Sequence, residues 1–208
     1  IRRQRQMCIR DRDKILDIIS ECEKAGNADM VYEFASTSKV TFPGSGMAAL
    51  ASSAANLADI KKYLTIQTIG YDKLNQLRHV RYFKNLDGLK AHMKKHADFL
   101  RPKFEATLKV LDDELTGLGI GTWSEPRGGY FISFDSLPGC AKAIVSMCKE
   151  AGVVLTNAGA TFPYGKDPRD SNIRIAPSFP TPEEMSEAAE LFVLCVKLVS
   201  VDKLLESK

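Results

Sequence analysis

Apolar residues recur along the first half of the chain at changing intervals. In DKILDIISECEKAGN (13–27), Ile15, Ile18, Ile19 and Cys22 fall three and four apart, which predicts a helix ended by Gly26. MVYEFAS (30–36) is a short apolar run of strand character, closed by a Gly44-Ser45-Gly46 turn after an intervening polar cluster. MAALASSAANLADIKKYL (47–64) is rich in alanine and predicts a helix whose small residues allow close packing. TIGYDKLNQLRHVRYFKN (68–85) mixes aromatic and basic residues without a clear period and reads as irregular. Leu89, Met93, Leu100, Phe104, Leu108 and Leu111 then give the broken stripe of a long helix over 87–115, which Pro102 should kink.

The second half changes to short alternating elements. GTWSE (121–125) and GGYFISFDS (128–136), separated by Pro126 and Arg127, read as paired strands. PGCAKAIVSMCKEAG (138–152) is a helix closed by Gly152, VVLT (153–156) a strand and SNIRIAPS (171–178) another. A terminal helix over 181–205 opens with Thr181 as cap and Pro182 at its first position. The pattern predicts a small α+β domain, 88–208, reached through the long helix, and an earlier domain remnant over 13–87.

Composition narrows the class. Of 208 residues, 44% are hydrophobic and 26% charged, which excludes wholesale disorder and leaves enough apolar side chains for a real core. No window holds the roughly 18 apolar residues that a membrane span needs, and no apolar stretch follows the basic start as in a secretory leader. The five cysteines (Cys8, Cys22, Cys140, Cys148 and Cys195) include no C-x-x-C pair. Cys22, Cys148 and Cys195 fall in helical apolar patterns, as buried reduced thiols do, and a reducing cytoplasm is expected.

The net charge of +3 comes from one place. IRRQRQMCIRDR (1–12) carries five arginines and one aspartate; residues 13–208 hold 24 Lys+Arg against 25 Asp+Glu. A basic arm tracking phosphates is one reading of the dozen. The reading adopted is that it resembles a translated sequencing-adapter fragment and is non-native, so it is set aside from the fold. The remainder then gives no basis for nucleic-acid binding.

One cation stands out. Lys39 follows Ser36, Thr37 and Ser38 at the end of the predicted strand and precedes the glycine turn. A lysine is ordinarily surface ammonium. Here short hydroxyls and the freed backbone N–H groups of a glycine turn suit a phosphate dianion beside it. The P-loop order is wrong, because the glycines follow the lysine and no G-x-x-x-x-G-K-[ST] exists. A lysine that attacks an aldehyde fits the setting.

S-T-S-K with the following glycine turn resembles the cofactor-lysine motif of the fold-type I, class I aminotransferases, which bind pyridoxal 5'-phosphate. EPRGGYFISFD (125–135) and GVVLTNAGATFPYGKDPRDSNIRIAPSF (152–179) extend the resemblance, and the wording of the latter is similar to the type Ic aspartate aminotransferases. The resemblance covers residues 13–208. It implies an α/β fold: the C-terminal part of such an enzyme, with a remnant of the large-domain mixed sheet and a small α+β C-terminal domain. It implies that Lys39 bonds to pyridoxal phosphate and shuttles the substrate proton, that Ser36 and Ser38 contact the phosphate, and that Arg174 grips the substrate α-carboxylate. It also implies amino acid and 2-oxo acid substrates, aspartate and 2-oxoglutarate foremost, and a homodimer at full length.

Met47 stands where many relatives have an arginine paired with the phosphate. Either backbone N–H groups replace that charge or the alignment slips there. Lys73, Arg78 and Arg81 lie where a cation for a second substrate carboxylate could come from. The family's pyridinium-pairing aspartate, ring-stacking aromatic and phosphate loop match nothing before Lys39; they belong to upstream sequence, so this chain alone is expected to be inactive. Two other classes stay open: a non-catalytic aminotransferase-like sensor domain of a regulator, and another pyridoxal-phosphate reaction on the same fold.

Overall fold

The computed structural model describes residues 16–206; the basic dozen at 1–12 lies outside them. The architecture is mixed α/β, and the chain divides into two compact units, Ile1–His96 and Ala97–Lys208.

In the first unit, α1 (Ile18–Lys24) starts where Asp17 Oδ1 accepts from the Ser20 N–H at 3.2 Å, and the chain leaves it through Gly26 at φ 72°. Strands β1 (Tyr32–Ser36) and β2 (Ala48–Ser52) pair antiparallel, with Phe34 opposite Leu50 and Ser36 opposite Ala48. The alanine-rich run therefore does not begin as a helix. Its first residues pair with β1, which satisfies their backbone groups and overrides a modest helix propensity. Helix α2 (Ala54–Gln67) begins only after Ser53, whose Oγ accepts from the Asn56 N–H at 3.2 Å.

The stretch read as irregular is helix α3 (Lys73–Phe83), capped by Asp72, whose Oδ1 accepts from the Asn75 N–H at 2.9 Å. Its buried residues are His79 and Phe83 alone, one i,i+4 pair, so no apolar stripe marks it in the sequence. Helix α4 (Leu86–Leu115) starts in this unit and runs through Pro102 into the second.

The second unit holds a sheet of order β3-β4-β5, all antiparallel: β3 (Gly121–Trp123), β4 (Ile132–Ser136) and β5 (Asn172–Ile175). On β4 the residues alternate cleanly, Ile132, Phe134 and Ser136 buried, Ser133 and Asp135 exposed. Helices α5 (Ala141–Glu150) and α6 (Pro182–Glu206) pack on each other. Phe104, Leu111, Phe134, Ile144, Ile173, Phe192 and Val196 form the core, with the Phe134 and Phe192 rings edge to face at 5.0 Å.

Helix α6 opens with a reciprocal cap. Thr181 Oγ1 accepts from the Glu184 N–H at 3.2 Å, and Glu184 Oε2 accepts from the Thr181 N–H at 2.7 Å.

Two sequence expectations need correction here. VVLT (153–156) forms no strand; a four-residue apolar run does not specify its structure by periodicity, and these residues line a cavity instead. Cys148 and Cys195 are buried as expected, but Cys22 is only half-buried. Burial, with the neighbouring Cys195 side chain, pushes the Cys148 thiol up to about 12. Among the described residues no helix is long and apolar enough to cross a membrane.

Candidate active site

The loop between β1 and β2 carries the lysine. At its neck the Thr37 N–H donates to Met47 O and the Met47 N–H to Thr37 Oγ1, both at 2.7 Å, continuing the strand pairing by one step. Above the neck the chain makes a single tight turn, with the Val40 and Thr41 N–H groups both donating to Thr37 O at 2.9 Å. That turn points Val40 and Thr41 into the unit, where both are buried, and leaves Ser38 and Lys39 exposed on its outer side.

A second turn follows, Ser45 N–H to Phe42 O at 3.0 Å, with Pro43 and then Gly44 at φ 76°. Proline followed by a positive-φ glycine is the type II arrangement. Gly46 has a different reason to be glycine: a Cβ there would lie 2.7 Å from Ser38 Cα and 2.8 Å from Ser38 N. The glycine turn thus returns the chain against the residue before the lysine, and it leads into β2 rather than into a helix.

Thr41, His79 and His92, which support this loop, had no part in the sequence reading. Thr41 Oγ1 lies 2.9 Å from His79 Nε2, and His79 Nδ1 lies 2.8 Å from Asn75 O. A carbonyl only accepts, so Nδ1 donates to Asn75 O, and Nε2 on the other side of the ring meets Thr41 Oγ1, which also lies 3.1 Å from Thr37 O. His92 Nε2 donates to Thr41 O at 3.2 Å. Phe42 packs among His79, Tyr82, Phe83 and His92 with ring centroids 5.2–5.7 Å away.

From α3, Asn75 Nδ2 donates to Ser45 O at 2.9 Å and Arg78 Nη1 to Ser45 Oγ at 3.4 Å. Of the three cations singled out on α3, Arg78 is the one with this bond to the lysine loop. The signal that could have found α3 is Asp72 as a cap, followed by eleven residues without glycine or proline and with His79 and Phe83 four apart.

Ser36 Oγ and Ser38 Oγ stand 3.0 Å apart, and the Ser38 N–H points to Ser36 Oγ at 3.3 Å. Two hydroxyls, a neighbouring amine and a backbone kept clear by Gly46 make a donor set that fits a phosphate and an aldehyde on one small molecule. The structure thus brings Ser36, at the end of β1, together with Ser38 and Lys39 on the loop that follows it in the first unit. Arg174 belongs to the second unit.

Arg174 lies on β5 opposite Ser133, on the sheet face away from Ile173 and Ile175. Its guanidinium carbon sits 4.4 Å from the centre of the Phe131 ring. Its Nε is buried and has no hydrogen-bond partner. No salt bridge among the described residues includes it.

Arg174 also lines a cavity of about 280 Å³ whose other walls are largely apolar, among them Val153, Ile175, Phe179, Met185 and Phe192. The loop leading into β5 is built by Asp167, whose carboxylate accepts from the Arg169, Ser171 and Asn172 N–H groups at 2.8–2.9 Å. Lys103, buried on α4, donates to Ser178 O at 2.9 Å and Phe179 O at 3.2 Å on the segment after β5. Among the described residues no group of three or more His, Cys, Asp or Glu could hold a metal ion.

Comparison with known proteins gives a consistent picture. The family model described as aspartate amino-transferase matches residues 5–208. An aspartate aminotransferase of Corynebacterium glutamicum is 41% identical over 189 residues, 91% of this chain and 44% of that protein. The crystal structure of an aspartate transaminase from the same species superposes with a TM-score of 0.91 at 39% identity, over 96% of this chain and 47% of that one. The structure of LysN, an α-aminoadipate aminotransferase of Thermus thermophilus, shares the fold with a TM-score of 0.76 at 19% identity, over 95% and 49% of the two chains. The chain spans about half the length of the relatives it matches.

Proposed function

The chain belongs to the aspartate amino-transferase family, and we propose that, joined to the upstream half its relatives carry, it transfers an amino group between aspartate and 2-oxoglutarate with pyridoxal phosphate as carrier. The observation that carries this reading is Arg174: a guanidinium with a buried, unpartnered Nε and no carboxylate beside it among the described residues. Leaving a buried donor unsatisfied costs about 1–3 kcal/mol, more for a charged group, and an anion bound beside the guanidinium would offset that cost. A carboxylate matches the planar fork of a guanidinium in two parallel bonds, which lysine does not reproduce.

Ser36, Ser38 and Lys39 are the residues of this chain that would hold the cofactor. When bound, pyridoxal phosphate supplies an aldehyde that joins primary amines and a conjugated ring that draws electrons from the substrate Cα. Ser36 and Ser38 offer hydroxyl donors to its phosphate. Lys39 Nζ is the amine that would meet this aldehyde, and it would take a proton from the substrate Cα as general base and return one as general acid. Arg174 fixes the α-carboxylate and so turns the Cα–H bond toward a defined direction. Aspartate as donor is supported by the name of the 41% identical relative and by the type Ic wording of 152–179. A homodimer is proposed on the same resemblance.

The test uses the chain with the upstream half restored. Absorption spectra are recorded with pyridoxal phosphate for the wild type and Lys39→Ala, before and after aspartate. The expected result is a band near the visible edge that requires Lys39 and shifts to the pyridoxamine form on adding aspartate. A band indifferent to Lys39→Ala removes the catalytic assignment. A band that requires Lys39 but ignores aspartate removes that substrate.

A further inference from the structure

Arg174 works, in the proposed reading, only if its guanidinium is held still with its N–H edge presented to the substrate. Arginines that bind anions are commonly aligned by a carboxylate or a carbonyl behind them. Among the described residues, no salt bridge or hydrogen bond does this for Arg174. What it does have is a ring: the guanidinium carbon lies 4.4 Å from the centroid of Phe131.

The contact follows from the sheet register. Ser133 is opposite Arg174 and Ile132 opposite Ile175, so Phe131, two residues before Ser133, emerges on the same face as Arg174 along the diagonal. Diagonal neighbours in an antiparallel pair are about 7–8 Å apart at the backbone, within reach of an aromatic ring and a long side chain. Ile132 and Phe134 on the other face are both fully buried and hold the strand in this register.

We infer that Phe131 is a positioning residue for carboxylate recognition: its ring supports one face of the Arg174 guanidinium and leaves the N–H edge for the carboxylate. The inference rests on the reading of Arg174 as the carboxylate-binding residue. A ring suits this role better than a carboxylate in one respect. It orients the cation without neutralising it, so the full charge is kept for the incoming anion. A backing carboxylate would hold the arginine as firmly and compete with the substrate for it.

The experiment uses the full-length holoenzyme with Phe131→Leu, Phe131→Tyr and Arg174→Lys. It reads KM and kcat for aspartate, and the dissociation constant of succinate, an unreactive dicarboxylate, from the change it causes in the cofactor's absorption. Phe131→Leu keeps apolar volume and loses the π face; it is expected to raise the succinate dissociation constant and KM about 3- to 10-fold, with kcat changed less. Phe131→Tyr is expected to restore both to within about twofold of wild type. Should Phe131→Leu fold poorly, Phe131→Met carries the same expectation.

If Arg174→Lys weakens succinate binding while Phe131→Leu leaves it within twofold of wild type, the positioning role is overturned and the reading of Arg174 stands. Equal losses in the Leu and Tyr variants also overturn it, because a merely structural role would not distinguish them by their π face. If Arg174→Lys leaves succinate binding unchanged, the reading of Arg174 fails and this inference fails with it.

Discussion

Thr41 and His79 are 38 residues apart in sequence, yet their side chains meet at 2.9 Å and both are almost wholly excluded from solvent. The contact pins the inner side of the lysine turn to α3. Thr41→Val keeps the shape and removes the hydroxyl, leaving His79 Nε2 buried without a partner. The expected loss is about 1–3 kcal/mol in urea unfolding. Thr41→Ser retains the hydroxyl and should recover most of it. A small loss in Thr41→Val beside a large one in Thr41→Ser would mean that the methyl group, and not the hydrogen bond, holds the turn.

Gly46 packs against the Ser38 backbone with no room for a methyl group. Gly46→Ala must therefore move the segment that carries Lys39, with an expected cost of about 1–3 kcal/mol. Gly70 meets nothing within 4 Å and has no positive φ. Gly70→Ala should be neutral or stabilising by up to about 1 kcal/mol. The comparison of the two midpoints checks the claim; similar effects at both positions would refute the close approach at Gly46.

Asp167 gives a pH dependence with a definite sign. The Asn172 N–H, with those of Ser171 and Arg169, holds its carboxyl below the ordinary aspartate value, against a smaller desolvation effect. A carboxyl that ionises more readily in the folded chain contributes stability above its unfolded pKa. That contribution fades as the pH falls through the folded value. Asp167→Asn should therefore destabilise at neutral pH and lie closer to wild type in acid, as read from urea midpoints between about pH 5 and pH 2. A constant difference across that range would show that the carboxylate's charge plays no part.

Much of the second unit was legible in the sequence because its signals are local. Alternation on ISFDS, the T-P-E-E cap and the glycine after α5 each act within a few residues, and each agrees with the packing around it. The first unit misled where local preference and tertiary pairing disagree. AALAS is helix-prone by composition, but its backbone completes a ribbon with β1. KLNQLRHVRYF buries only His79 and Phe83, so its apolar pattern is too sparse to show a helix face.

The chemistry divides in the same way. Lys39 and its serines were singled out by residue type and setting, and Arg174 by the resemblance of its N-I-R-I segment to the aminotransferases. Their surroundings could not be read from spacing. Thr41 under the lysine turn, Gly46 against Ser38 and Phe131 beneath Arg174 are contacts between distant or diagonal residues. The sequence by itself determined which groups are available to react; only the tertiary structure decided what holds them, because strand register and helix docking set distances that no local interaction encodes.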